Sequence, residues 1–290
     1  MQRPRVFIFG AGYSGKAFAG ARPQAATIFG TTRSPENFPA LQAAGIEPLL
    51  FDGGTARQDL IPVLSSITHL VVSIAPDEAG DPVLRALGET IGEAMPALGW
   101  IAYLSTVGVY GDHEGRWIDE TAACRPVSAR SRRRVEAEEA WQRLAARRGV
   151  PLAVLRLSGI YGPGRNALLN LADGKARRQV KPGQVFNRVH VDDAASGIVA
   201  SISRPRPGRA YNLADDDPSS MEAVLLAAAE RMGLPPPPET DLNDPSVSEA
   251  MRGFYLDSKR VSNARAKAEL GWRPRYPTWR EGLEALLSQP

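Results

Sequence analysis

The stretch Val6-Phe7-Ile8-Phe9-Gly10-Ala11-Gly12-Tyr13-Ser14-Gly15 decides the fold. Four consecutive apolar residues read as a strand buried on both faces, since a half-exposed strand would alternate apolar with polar. Glycines follow at once. Gly10 permits a tight turn, Gly12 lets the backbone approach a pyrophosphate, and Gly15 lets a helix pack closely on the strand. A helix from Ser14 to Ala21 then turns unpaired N–H groups toward the anion, with Tyr13 and Ser14 at its mouth. A glycine trio alone is a weak signal. Set between a strand and a helix, with a second βα unit after it, this one reads as a dinucleotide site.

Working outward, strands and helices alternate. Further apolar runs lie at Ala25 to Phe29, ending at Gly30, and at Ile46 to Phe51, closed by Asp52-Gly53-Gly54. Others are His69 to Ile74, Trp100 to Leu104, and Val150 to Leu157 after the helix stop Gly149. Helical patterns fill the gaps at Pro35 to Ala44, Arg57 to Leu64, Asp81 to Met95 and Ser128 to Arg148. Such alternation implies right-handed βαβ units and a parallel sheet. The fold class expected is therefore α/β, a Rossmann-type doubly wound parallel sheet over residues 1–165, with a smaller C-terminal substrate-side region over 166–290. Parts of that region, about 188–213, return to the first domain. There, Val189 to Asp193 leads into a helix to about Ser203, and Ala210 to Leu213 reads as one more strand. Helices are also expected at Ser219 to Met232 and, last in the chain, Ser258 to Leu270. Pro235 to Pro238 reads as a connector. Asp215-Asp216-Asp217 is expected to cap a helix, and no metal site is expected.

Composition narrows the classes. The chain has 290 residues, 43% hydrophobic and 23% charged, which suits a globular protein and not a disordered one. No apolar stretch approaches the ~20 residues needed to span a bilayer, and no signal peptide is read at the start. The single cysteine, Cys124, excludes an internal disulfide and fits a reducing cytoplasm. The net charge of +3 is too small to suggest nucleic-acid binding. The cluster Arg130, Arg132, Arg133, Arg134, followed by Arg143, Arg147 and Arg148, is interleaved with Glu136, Glu138 and Glu139 and reads as a solvated helix face. A small-molecule partner is expected, with neither nucleic acid nor membrane.

The end of the second strand selects the cofactor. NAD sites carry an acid there for the ribose 2′-hydroxyl. Here the segment is Gly30-Thr31-Thr32-Arg33-Ser34, an arginine flanked by hydroxyls. A guanidinium pairs with a 2′-phosphate and stacks on adenine, so Thr32, Arg33 and Ser34 favour NADP(H) over NAD(H). Asp52 is a candidate adenine contact or a turn residue, and Ile74 and Ala75 close the cofactor set at the end of the fourth strand.

Further motifs appear in order: Ser105-Thr106-Val107-Gly108-Val109-Tyr110-Gly111, Arg156 to Arg165 with its Tyr161-Gly162-Pro163-Gly164, Arg188 to Asp193, Tyr211-Asn212-Leu213, and Glu269 to Pro274. Together they resemble the extended and atypical short-chain dehydrogenase/reductases, the superfamily of the NAD(P)-dependent epimerase/dehydratases, over nearly the whole chain. The resemblance implies a tyrosine acid/base, a lysine four residues on, and a hydroxyl residue. In the family register Thr106, beside Ser105, is that hydroxyl, while Arg130 stands at the tyrosine position and Arg134 at the lysine position. The sequence has no tyrosine between Tyr110 and Tyr161, and Tyr255 to Lys259 lies too far along to serve. Guanidinium does not shuttle protons, so Arg130 and Arg134 can act only electrostatically or on the ribose. Tyr110, Tyr161 and His190 are the candidate replacements, and Tyr110, Arg165, Asn166 and His190 the expected substrate contacts. Two functions follow: an NADP(H)-dependent oxidoreductase or epimerase with a degenerate Tyr/Lys site, or a catalytically silent sensor of NADP(H) or a metabolite. A monomer or a homodimer through the two long helices is expected.

Overall fold

The computed structural model describes residues 3–22, 26–54 and 58–288. Its first half strings together β1 (Arg5–Phe9), α1 (Tyr13–Ala21), β2 (Thr27–Thr32), α2 (Phe38–Ala43), β3 (Glu47–Leu50), α3 (Ile61–Leu64), β4 (His69–Val72), α4 (Pro82–Glu93) and β5 (Trp100–Thr106). There follow β6 (Trp117–Ile118), α5 (Ala129–Arg148), β7 (Leu152–Leu157), β8 (Gly159–Tyr161), α6 (Ala167–Ala172), β9 (Arg188–His190), α7 (Val191–Ser203) and β10 (Arg209–Leu213). The last elements are α8 (Met221–Arg231), α9 (Glu249–Phe254), β11 (Arg260–Val261), α10 (Ala264–Glu269) and α11 (Trp279–Leu287). Seven strands form one parallel sheet in the order β10-β7-β5-β4-β1-β2-β3. This is a doubly wound sheet whose strand order reverses at β1, and the crevice beyond such a switch point is where ligands bind.

The apolar run of β1 explains the two-layered core. Successive side chains alternate faces, so Val6 and Ile8 join Phe18, Leu41, Ile198 and Trp272 beneath α1, α2, α7 and α10. Phe7 and Phe9 instead meet Leu64, Leu87, Ile91 and Trp141 beneath α3, α4 and α5. A third cluster, with Leu171, Leu225, Ala228 and Trp279, joins α6, α8 and α11 into a smaller core of their own. The helix ends follow from local chemistry. Asp81 caps α4 by accepting from Val83 and Leu84 N–H groups, Ser128 caps α5, and Gly149 ends α5 at φ 64°.

Several expectations need correction. Ala25 and Arg57 lie outside the described residues, so the starts expected there are not assessed. Gly30 does not stop β2, which runs on to Thr32. A Cβ there would sit 2.7 Å from both Ala11 and Ile46, so the glycine marks close packing of the Gly10–Gly15 turn and not a strand end. The segment 258–270 is not one helix but β11 followed by α10, and α11 comes after it. Thr278 and Glu281 form a capping box that starts α11. Ser220, not the aspartate run, caps α8. Among the described residues no helix is long and apolar enough to cross a membrane, and no group of three His, Cys, Asp or Glu is arranged to hold a metal.

Candidate active site

The expected site segments after β1, β2, β3, β4 and β5 leave the same edge of the seven-stranded sheet, where its parallel strands end, while Tyr161 to Asn166 and His190 belong to the separate β8–β9 pair. Beyond β1, Gly10 has φ 81° and its N–H donates to Thr31 Oγ1 at 2.9 Å, pinning the turn to β2. A Cβ on Gly10 would lie 2.8 Å from Ile74 Cγ1, whereas one on Gly12 would meet nothing within 4 Å. The space over Gly12 is thus open to a phosphate. Gly12 caps α1 without any side-chain hydrogen bond, leaving the first-turn amides of Tyr13, Ser14 and Gly15 without intrahelical acceptors. That is the donor set a pyrophosphate needs, and the residues fit a dinucleotide. Ile74 packs on this turn, and Ala75 beside it is exposed.

Beyond β2 the Arg33 side chain is exposed, while Thr32 and Ser34 are half-buried. Thr32 Oγ1 accepts from Asn37 Nδ2 at 3.1 Å, and the Ser34 hydroxyl donates to the Glu36 carboxylate. Glu36 and Asn37 escaped the sequence reading, and Glu36 sets a negative charge on the Ser34 hydroxyl. Asp52 is exposed, but its Oδ1 accepts from Gly54 N at 2.8 Å, so its carboxylate serves the turn.

Beyond β5 the two hydroxyls part company. Ser105 is buried and donates to Glu138, which also holds Arg156 at 2.7 Å. Burial pulls the Arg156 guanidinium down, but Glu138 more than offsets it, leaving the pKa raised. Ser105 is therefore part of a buried post and is not free for substrate. Thr106 is half-buried, and its Oγ1 accepts from Gly108 N at 3.1 Å, which leaves its own proton free to give to a carbonyl oxygen. Arg130 is exposed on the first turn of α5. Arg134 is 8% exposed, and its Nη1 donates to Leu104 O at 2.6 Å and Tyr103 OH at 3.3 Å. It sits beneath the end of β5, and Tyr103, raised by burial, is no proton donor there.

The other candidates divide. Tyr110 does not face the cleft: it is fully buried, gives its proton to Asn212 Oδ1 at 2.8 Å, and burial pushes it up to about 12. Its packing with Val107, Ala214 and Val261, invisible in the sequence, puts it in the core. His190 caps α7, accepting the Asp192 N–H on Nδ1 at 3.2 Å, so its proton lies on Nε2, which is buried without a protein partner. Burial lowers its pKa, Asp192 opposing and Arg275 reinforcing. Tyr161 packs edge-on against His190 with ring centroids 5.3 Å apart, and its buried hydroxyl points toward Gly282 of α11. Asn166 is spent as a helix cap, holding Leu169 N and Gly162 O. Arg165 is exposed. The Tyr13 hydroxyl donates to Pro163 O at 3.0 Å, strapping the glycine turn to the Tyr161–Gly164 loop. Gly162 is indispensable there, for a Cβ would press on Tyr13 OH, Val191 and His190 at 2.7, 2.8 and 3.3 Å.

The chain is similar to several known proteins. The NAD dependent epimerase/dehydratase family matches residues 85–214. Protein YeeZ of Escherichia coli K12 is 26% identical over 94% of this chain and 96% of its own length. The 3-diazoavenalumate denitrifying reductase of a Streptomyces species is 29% identical, over 49% of each chain. Among solved structures, a conserved protein of unknown function from Silicibacter pomeroyi is 46% identical, covering 98% of both chains at a TM-score of 0.90. The dTDP-glucose 4,6-dehydratase of Bacillus anthracis, solved with NAD, shares the fold at a TM-score of 0.79 and 19% identity, covering 98% of this chain and 95% of its own.

Proposed function

We propose, from the match of residues 85–214 to the NAD dependent epimerase/dehydratase family, that the chain is an NADP(H)-dependent oxidoreductase or epimerase acting at a carbonyl or alcohol carbon of a small molecule. The observation that carries this reading is the free Thr106 hydroxyl at the end of β5, on the same sheet edge as the open Gly10–Gly15 turn. The cofactor, when bound, supplies or accepts the hydride. The Tyr13 to Gly15 amides hold its pyrophosphate, Arg33 its 2′-phosphate against the opposing charge of Glu36, and Arg134 the region of the ribose beside Leu104. Thr106 donates to the substrate oxygen, and Arg165 at the loop after β8 meets an anionic part of the substrate. Arginine at positions 130 and 134 supports a second reading, a sensor that binds NADP(H) without turnover. Screening purified protein for NADPH oxidation against aldehydes, ketones and ortho-quinones separates the two. Turnover abolished by Thr106→Val supports the enzyme; tight NADPH binding with no oxidation supports the sensor. The groove between α4 and α5, flanked by Glu89, Glu93, Arg143 and Arg147, is the face a homodimer would use, and light scattering on the eluted protein tests it.

A further inference from the structure

Ser131 lies one position beyond Arg130, the residue at the tyrosine position in the family register. Ser128 accepts the Ser131 N–H at 3.1 Å as the cap of α5, and its hydroxyl in turn donates to Ser131 Oγ at 3.0 Å. A Cβ built on Gly108 would lie 3.1 Å from Ser131 Oγ and 3.5 Å from Thr106 Oγ1, so the two hydroxyls border one small space. Each already accepts one hydrogen bond, Ser131 from Ser128 and Thr106 from Gly108, and each therefore keeps its own proton to give. Both are half-buried, as is Ser128. The space also lies at the N-terminus of a 20-residue helix, where partial positive charge favours a developing oxyanion.

Building on the oxidoreductase reading above, we propose that Ser131 is a catalytic residue: with Thr106 it cradles the substrate carbonyl oxygen, and with Ser128 it delivers the proton. Hydride adds to the carbonyl carbon and the C=O π pair moves to oxygen. That oxygen takes the Ser131 proton as Ser131 takes the Ser128 proton, and Ser128 is reprotonated from water at the half-exposed helix start. One NADPH and one solvent proton are consumed for each carbonyl reduced to an alcohol. In the reverse direction Ser131 and Ser128 carry the proton out to water.

The test compares wild type with Ser131→Ala and Ser131→Thr. The backbone N–H capped by Ser128 survives both changes, so melting temperature and NADPH affinity stay as in wild type. With the best carbonyl of the screening panel, Ser131→Ala lowers kcat about 100-fold while KM moves within about twofold, and Ser131→Thr restores most of the rate. A second readout needs no turnover: the ¹⁹F line of trifluoroacetone broadens with NADP⁺-loaded wild type and narrows with Ser131→Ala. Wild-type rates in Ser131→Ala, or broadening unchanged by it, overturn the proposal, as does an absence of broadening with wild type. If wild type binds NADPH but reduces no carbonyl, the oxidoreductase reading fails instead, and the ¹⁹F measurement still decides whether the hydroxyl cradle exists.

Discussion

Two glycines in one turn are expected to fail in different ways. Gly10 sits at φ 81°, and a Cβ there would lie 2.8 Å from Ile74 Cγ1 and 3.2 Å from the Ile74 backbone nitrogen. Gly10→Ala therefore combines left-handed backbone strain of about 1–2 kcal/mol with overpacking of about 1–3 kcal/mol. The backbone contact cannot be relieved by a rotamer change. A loss of roughly 2–5 kcal/mol corresponds to a fall in melting temperature on the order of 10 °C for a chain of this size. Gly12 has φ −79° and nothing within 4 Å of its Cβ position. Gly12→Ala should leave the melting temperature of the cofactor-free protein within about 1–2 °C of wild type. Its methyl group instead occupies the space a pyrophosphate must enter, and NADPH affinity should fall at least about tenfold, or ~1.4 kcal/mol. Thermal unfolding without cofactor and calorimetric titration with NADPH measure the two effects separately. A Gly12→Ala protein that binds NADPH as tightly as wild type would refute the reasoning. So would one that melts as low as Gly10→Ala, because the turn would then be a packing device only.

Other consequences are as direct. Glu138→Ala leaves Arg156 buried without its carboxylate and should cost about 3–5 kcal/mol in urea unfolding; a loss below about 1 kcal/mol would mean that the pair holds little together. Asp215, 2% exposed, is pushed by burial up to about 8, with Arg188 opposing. The folded chain keeps a proton that the unfolded chain releases near pH 4, so this contribution is full below that pH and lost as pH rises through about 8. Asp215→Asn should therefore be more stable than wild type at pH 9, and equal curves at pH 9 would exclude the shift. His190 behaves oppositely. Burial lowers its pKa, so its contribution is present above the ordinary value near 6.5 and fades as pH falls below it. His190→Gln should flatten that acid limb of the stability profile, and an unchanged limb would assign it to other groups. Glu36→Gln removes the carboxylate that accepts the hydroxyl of Ser34, the residue after Arg33, and should raise NADPH affinity a few-fold without changing NADH affinity; a parallel rise in both would place Glu36 away from the 2′-phosphate.

The parts of the fold that could be read in the sequence are those fixed by local chemistry. Val6 to Phe9 had to be a strand buried on both faces, and Gly149 had to end a helix, whatever the rest of the chain did. Gly30 misled because a glycine demanded by close approach of Ala11 and Ile46 looks the same in sequence as one that ends a strand. The capping box of Thr278 and Glu281 was present in the sequence but lies in a stretch whose apolar periodicity is short and crowded with arginine and proline. In the site, the glycine turn could be placed from backbone geometry, whereas Thr106 came only through the family register, as the hydroxyl residue that the resemblance implies. Tyr110 could not be placed, since only its packing against Ala214 and Val261 reveals that it is core. Ser131 was hidden for the same reason: its partners across the space, Thr106 and Gly108, belong to another element.

Binding of NADP(H) by the Gly10–Gly15 turn and Arg33, as proposed, is measured by titration of wild type and Arg33→Ala with NADPH and NADH. Tight NADPH binding is expected, weakening about tenfold or more in Arg33→Ala, with NADH binding unchanged by the substitution. Equal affinity of wild type for NADPH and NADH, or no binding of either, would contradict it.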